Sequence, residues 1–183
     1  MRKISDSGFS GNLAAVNGLS FKKWVFEPGM PFGSEMKWWG DKGPRGARHN
    51  GLDLRLYETP EGNPVPLDAG AKIPAICDGT VVKIVRDFLG HSLFAETGIR
   101  EKEKRLFTVY GHVRPVEGIA SGASFKKGEI IARLAGKNES GVPPHLHITL
   151  ALVPGDVSVE GLSWEKLDSP ADIVLLDPMG IIY

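Results

Sequence analysis

Two histidines set two residues apart, His145 and His147, run straight into the apolar, β-branched stretch Ile148-Thr149-Leu150. A strand alternates its side chains between faces, so both imidazoles project one way and Leu146 the other. Their Cα atoms would lie roughly 6.6 Å apart. At that distance one ring can hold a metal ion while its neighbour works on whatever the ion binds. A second set is His49-Asn50-Gly51-Leu52-Asp53. Asn-Gly is a turn signal, and Leu52-Asp53-Leu54-Arg55-Leu56 alternates like a strand. A straight strand would hold His49 and Asp53 roughly 13 Å apart. A bend at Asn50-Gly51 would bring them together, with His49 on the turn and Asp53 opening the strand. A third histidine, His112, ends the strand-like run Thr108-Val109-Tyr110-Gly111-His112 and shares a face with Thr108 and Tyr110 if that strand is regular. His91 matches no motif and reads as a turn residue.

His49, Asp53 and one of His145 and His147 make a His₂Asp donor set. Zinc takes nitrogen and oxygen ligands tetrahedrally, and a catalytic zinc keeps its fourth position for water. Such an ion lowers the pKa of its water to roughly 7 and polarises a carbonyl. The two remaining histidines can then serve as general base and as stabiliser of the developing oxyanion. No H-E-x-x-H is present, so the helix-borne glutamate base of many zinc proteases is absent and imidazole must do that work. Taken singly, each segment reads as well, or better, as ordinary surface or core histidines. The weight lies in the set.

The rest of the chain must position these residues. Its 183 residues suit one domain with an extension. Glycine (23) and proline (13) are frequent, which favours many short strands over long helices. Strand candidates fall at 72–77, 80–86, 92–97, 106–110, 130–134 and 145–153, with glycines in the breaks. The expectation from this spacing is an all-β fold, a single small sandwich or barrel-like domain. Residues 1–35 are rich in turn-formers and read as an irregular extension wrapping the domain, with a short strand within 20–26; residues 36–183 form the domain. Residues 58–71 read as a polar insertion. A helical turn is expected near 164–167, and an apolar segment at 173–176 closes the chain. Trp38 and Trp39 read first as packing aromatics and second as a site wall.

Lys+Arg and Asp+Glu both number 22, so there is no basic footprint for nucleic acid or an anionic membrane. No 18-residue apolar run is present, and no membrane insertion is expected. No apolar h-region follows Met1-Arg2-Lys3, which leaves open a cytoplasmic address or an exported protein whose signal has been removed. Cys77 is the only cysteine. It cannot form an intramolecular disulfide or a thiolate zinc site, and it reads as a buried structural thiol.

His49-x-x-x-Asp53, Tyr110-Gly111-His112 and His145-x-His147, in that order, resemble the M23 family of zinc peptidases, the lysostaphin-like cell-wall endopeptidases. Cys77-Asp78-Gly79-Thr80-Val81-Val82 resembles the family's A-x-D-G-x-V strand. Residues 121–132 resemble its V-K-x-G-x-x-I-A segment, and Pro143-Pro144-His145-Leu146-His147 its P-H-L-H strand. The match covers roughly residues 32–153. The resemblance implies a small antiparallel β fold with a groove, Zn²⁺ held by His49, Asp53 and His147, and His112 and His145 as the catalytic histidines. It implies hydrolysis of peptide bonds in bacterial peptidoglycan cross-bridges or stem peptides. Some members carry a tyrosine shortly before the first histidine, thought to help hold the oxyanion; residues 33–48 contain none. Two alternatives remain. One is a non-catalytic cell-wall-binding or regulatory module on the same fold. The other is a phosphocarrier using two neighbouring histidines, in which the H-x-x-x-D motif would have no task.

Overall fold

A computed structural model describes residues 7–137, 141–168 and 172–183. In chain order the elements are α1 (Phe9–Asn17), β1 (Lys23–Val25), β2 (Leu52–Leu54), β3 (Leu56–Glu58), β4 (Pro64–Pro66), β5 (Lys72–Pro74), β6 (Gly79–Arg86), β7 (His91–Glu101), β8 (Lys104–Pro115), β9 (Ser124–Phe125), β10 (Ile130–Leu134), β11 (Leu146–Pro154), α2 (Trp164–Leu167) and β12 (Val174–Leu176), with a closing 3₁₀ turn at Pro178–Ile181. The fold is all-β, as expected. The main sheet is antiparallel and follows the order β12-β11-β8-β7-β6-β9; β2 adds to β11, and β10 joins β5 to β8. The sheet does not close into a barrel. A separate small sheet joins β1, β3 and β4.

Alternation along β11 divides the interior. Leu146, Ile148, Leu150 and Leu152 pack with Leu52, Leu54, Leu93 and Tyr110 in the larger core. Ala151 and Val153 face the opposite side, where Phe94, Phe107, Val109, Leu162 and Leu167 form a second core. With period 2, His145, His147 and Thr149 belong to this second face. The antiparallel register sets His147 opposite Asp53 on one side and Gly111 on the other. The cleft opens at this end of the sheet.

Period 2 fails at one functional place. Across β7 and β8, Leu93 pairs with Tyr110 and His91 with Val113, so Gly111 and His112 together oppose Ser92. This is a β-bulge. Tyr110 and Val113 both remain in the larger core, and His112, with φ 64°, turns out towards His145. The expectation that Thr108, Tyr110 and His112 share one face is therefore corrected: the extra residue reverses the alternation.

Residues 7–35 hold more structure than their composition suggests. Helix α1 was not anticipated, because its own sequence contains Gly11, Asn12 and Asn17, all poor helix formers. Tertiary contacts hold it instead. Phe9 and Leu13 are fully buried, and with Trp24 they belong to the larger core. Ser10 accepts the Trp24 indole N–H at 2.7 Å and donates to the Ile182 carbonyl, which joins the two ends of the chain. The stretch read as a polar insertion contains β4.

Candidate metal centre and cleft

His49 sits in a loop that its own backbone anchors. Its N–H donates to the Ser34 carbonyl (2.9 Å), and its carbonyl accepts from Gly33 (2.8 Å). Its ring Nδ1 lies 3.0 Å from the Pro31 carbonyl. A carbonyl only accepts, so Nδ1 carries the proton and Nε2 presents its lone pair. Asp53 is the central residue of β2, and its backbone N–H donates to the Met30 carbonyl (3.1 Å). Gly51 lets the strand approach β11 closely. A Cβ there would lie 2.5 Å from His147 Nε2 and 2.7 Å from Thr149 Oγ1.

Three acceptor atoms converge. Asp53 Oδ1 lies 2.8 Å from His147 Nδ1 and 3.2 Å from His49 Nε2, and the two ring nitrogens are 3.2 Å apart. All three residues are buried. His49 Nε2 has no hydrogen to give, so at most one proton is shared among the three. A cation fits this electrostatics, and two nitrogens with one carboxylate oxygen are a donor set that transition metals accept. Burial and the neighbouring histidines depress the basicity of His147, and the adjoining Asp53 carboxylate only partly offsets them. Burial works against ionisation of Asp53, but His145, His147 and His49 outweigh it and hold the carboxyl well below the usual range.

The second oxygen of Asp53 is engaged separately. The Trp38 indole N–H donates to Oδ2 at 2.7 Å, and the Arg45 guanidinium lies 3.7 Å away. Arg45 also donates to the carbonyls of Met36 and Gly29 and stacks over Trp39. On the other side, His147 Nε2 lies 2.9 Å from Thr149 Oγ1. These contacts orient the donor set from behind.

His145 and His112 stand beside it, their ring centroids 4.6 Å apart. His145 Nδ1 lies 2.8 Å from the Pro143 carbonyl, so its Nε2 lone pair faces the centre, 3.7 Å from Asp53 Oδ1. Burial, aided by His112 and only partly offset by Asp53, pushes the His145 imidazole down to about 4. Asp87 was not singled out in the sequence. Its carboxylate accepts the His112 backbone N–H at 2.9 Å and lies 3.2 Å from His112 Nδ1. Burial opposes its ionisation, yet His112 and Ser92 hold it below the ordinary carboxylate range.

Around these groups lies a cleft of about 430 Å³. Trp39, Arg45, Phe88 and Trp164 are among the residues that line it. Trp39 stacks on His145 with centroids 6.4 Å apart; Trp164 meets His147 edge-on and donates its N–H to Ser92 Oγ. None of the described residues lining the cleft comes from the first 35. All five residues singled out from the sequence meet here. His91 does not; it starts β7. The sequence reading also missed the second support of Asp53: Trp38 was read as packing, and only its buried N–H beside a carboxylate reveals more. For Asp87 a signal existed. Asp87-Phe88-Leu89-Gly90 is a tight-turn composition between two strand runs.

The profile of peptidase family M23 matches residues 48–158, more than half of the chain. Among solved structures, the chain is similar to the catalytic domain of the antimicrobial peptidase lysostaphin from Staphylococcus simulans, with 17% identity, 94% of this chain and 96% of that one covered, and a TM-score of 0.54. A second lysostaphin structure from the same organism is 17% identical, with 89% of this chain and 49% of that one covered and a TM-score of 0.50. This chain spans about half of that molecule. At such identities the likeness establishes a shared fold. No curated protein matches the sequence.

Proposed function

This chain belongs to peptidase family M23, and from that premise we propose that it is a zinc endopeptidase acting on the cross-bridges or stem peptides of bacterial peptidoglycan. The observation that carries the reading is the convergence of His49 Nε2, Asp53 Oδ1 and His147 Nδ1 within 3.2 Å at the floor of a cleft. These atoms would hold the ion. When bound, zinc supplies a Lewis acid for a substrate carbonyl and a water whose pKa falls to roughly 7.

The chain's own residues supply the remainder. Trp39, Phe88 and Trp164 give the cleft apolar walls that exclude water around an extended peptide. His145 directs an Nε2 lone pair to the centre because Pro143 occupies its other nitrogen. His112 stands within reach of the same space. Between them they move one proton, from the attacking water to the departing amine, and steady the tetrahedral oxyanion.

Metal analysis of the purified wild type beside Asp53→Ala tests the ligand set. About one zinc per wild-type chain is expected, with loss in the variant. His145→Ala should retain zinc while hydrolysis of peptidoglycan fragments falls by about 10²-fold or more. Wild-type protein that takes up zinc and binds those fragments without cleaving them would refute the peptidase reading.

A further inference from the structure

We propose that Asp87 is a positioning residue for this reaction: it holds the bulge that delivers His112 to the cleft and fixes the ring with Nδ1 turned towards Asp87, making His112 Nε2 the nitrogen that carries the proton. This rests on the peptidase reading above.

The Asp87 side chain is only 4% exposed. Its Oδ1 accepts the backbone N–H groups of Leu89 (2.9 Å) and Gly90 (2.6 Å), which fixes the carboxylate in the β6–β7 turn. Oδ2 faces the bulge. It accepts the Ser92 hydroxyl (2.7 Å) and the His112 backbone N–H (2.9 Å). Ser92 is the residue opposite the bulge, so one carboxylate oxygen ties both sides of the irregularity. That matters because His112 has φ 64°, a conformation a non-glycine residue adopts only under constraint.

The same Oδ2 lies 3.2 Å from His112 Nδ1. This nitrogen is buried and makes no aligned hydrogen bond; the Asp87 carboxylate beside it is one ring adjustment from accepting one. Phe88 closes on the ring with centroids 4.5 Å apart and limits its rotation. A carboxylate can only accept, so Nδ1 keeps its hydrogen and Nε2 is open to the cleft.

The two cleft histidines are thereby distinguished. His145 is backed by a neutral carbonyl, that of Pro143. His112 is backed by an anion. A carboxylate behind the ring stabilises an imidazolium as the proton arrives. The step balances as follows. The water oxygen bonds to the carbonyl carbon, and a water proton passes to His112 Nε2. As the C–N bond breaks, that proton passes to the amide nitrogen, leaving a carboxyl group, an amine and a neutral His112.

The test uses the full-length, zinc-loaded protein with ¹⁵N-labelled histidine. The His112 ring signals are identified by their loss in His112→Gln. The expected wild-type ring carries hydrogen on Nδ1 and none on Nε2. Asp87→Asn should lose that tautomer preference and show kcat lower by about 10²-fold or more, with KM within about threefold of wild type and zinc content unchanged. A wild-type ring protonated on Nε2 overturns the proposal without any variant, and this measurement decides the matter if Asp87→Asn does not fold. Asp87→Asn with wild-type tautomer and kcat also overturns it. Absence of cleavage by the wild type defeats the peptidase reading and the proton-carrying role together, while an Nδ1–H signal in that protein would still support the Asp87–His112 pairing.

Discussion

Asp53 illustrates how one side chain serves two purposes. Oδ1 joins two imidazole nitrogens, and Oδ2 is held away by Trp38 and Arg45. A carboxylate whose second oxygen is occupied offers a single, directed ligand atom. Trp38→Phe removes the indole donor while preserving most of the packing. It should weaken zinc binding by about 10- to 100-fold, measured by competition with a chelator of known affinity, with circular dichroism unchanged. Cys77 makes an opposite case. The side chain is half-buried, not fully buried as expected from its apolar neighbours; that partial burial, reinforced by Asp78 and only partly opposed by Lys127, pushes its thiol up to about 11. The thiolate is the reactive form, so alkylation should remain slow at pH 8 and accelerate only as pH rises towards about 11. Fast labelling at neutral pH would contradict that burial.

At the level of elements, the site depends on how closely β2 lies against β11. Gly51 permits the approach, since any Cβ would strike the His147 ring, Thr149 and the Ile148 carbonyl. Gly51→Ala should displace His147 and abolish zinc binding while leaving the distal strands folded, a pattern that amide chemical shifts would reveal. The N-terminal segment is tied to the same place. Pro31 orients the His49 ring, Ser34 and Gly33 hold its backbone, and Met30 holds that of Asp53. Phe9, Leu13 and Trp24 lie in the main core. Deleting residues 1–35 should therefore eliminate zinc binding and lower solubility. Faster hydrolysis after that deletion would instead mark the segment as an inhibitory arm.

For the molecule as a whole, the candidate centre joins segments distant in sequence: the loop before β2, β2 itself and β11. An ion held there links them in the folded state only. Ligand bound at about 100 times its dissociation constant stabilises a fold by about 2.7 kcal/mol. For a chain of this size that corresponds to a rise in Tm of roughly 5–10 °C. Removing the metal should lower Tm by that amount, and adding zinc back should restore it; calorimetry of both forms is the check. The candidate ligands are buried, so this shift should depend less on ionic strength than one driven by exposed charges.

Local periodicity was enough to determine much of this protein. The short apolar runs and the glycine breaks between them specified an all-β fold, and the resemblance to family M23 added its antiparallel pairing. Strand alternation placed His145 and His147 on one face, and the ordered motifs named His49, Asp53 and His112. What tertiary structure decided were features that alternation cannot encode. Helix α1 forms because a core receives Phe9 and Leu13, not because its residues favour a helix. His112 enters the cleft because a bulge opposite Ser92 adds a residue and reverses its face. Trp38 and Asp87 gain their importance from carboxylate contacts across 15 and 25 positions of chain. Such contacts are set by where separate strands and loops pack together, and no local pattern carries that information.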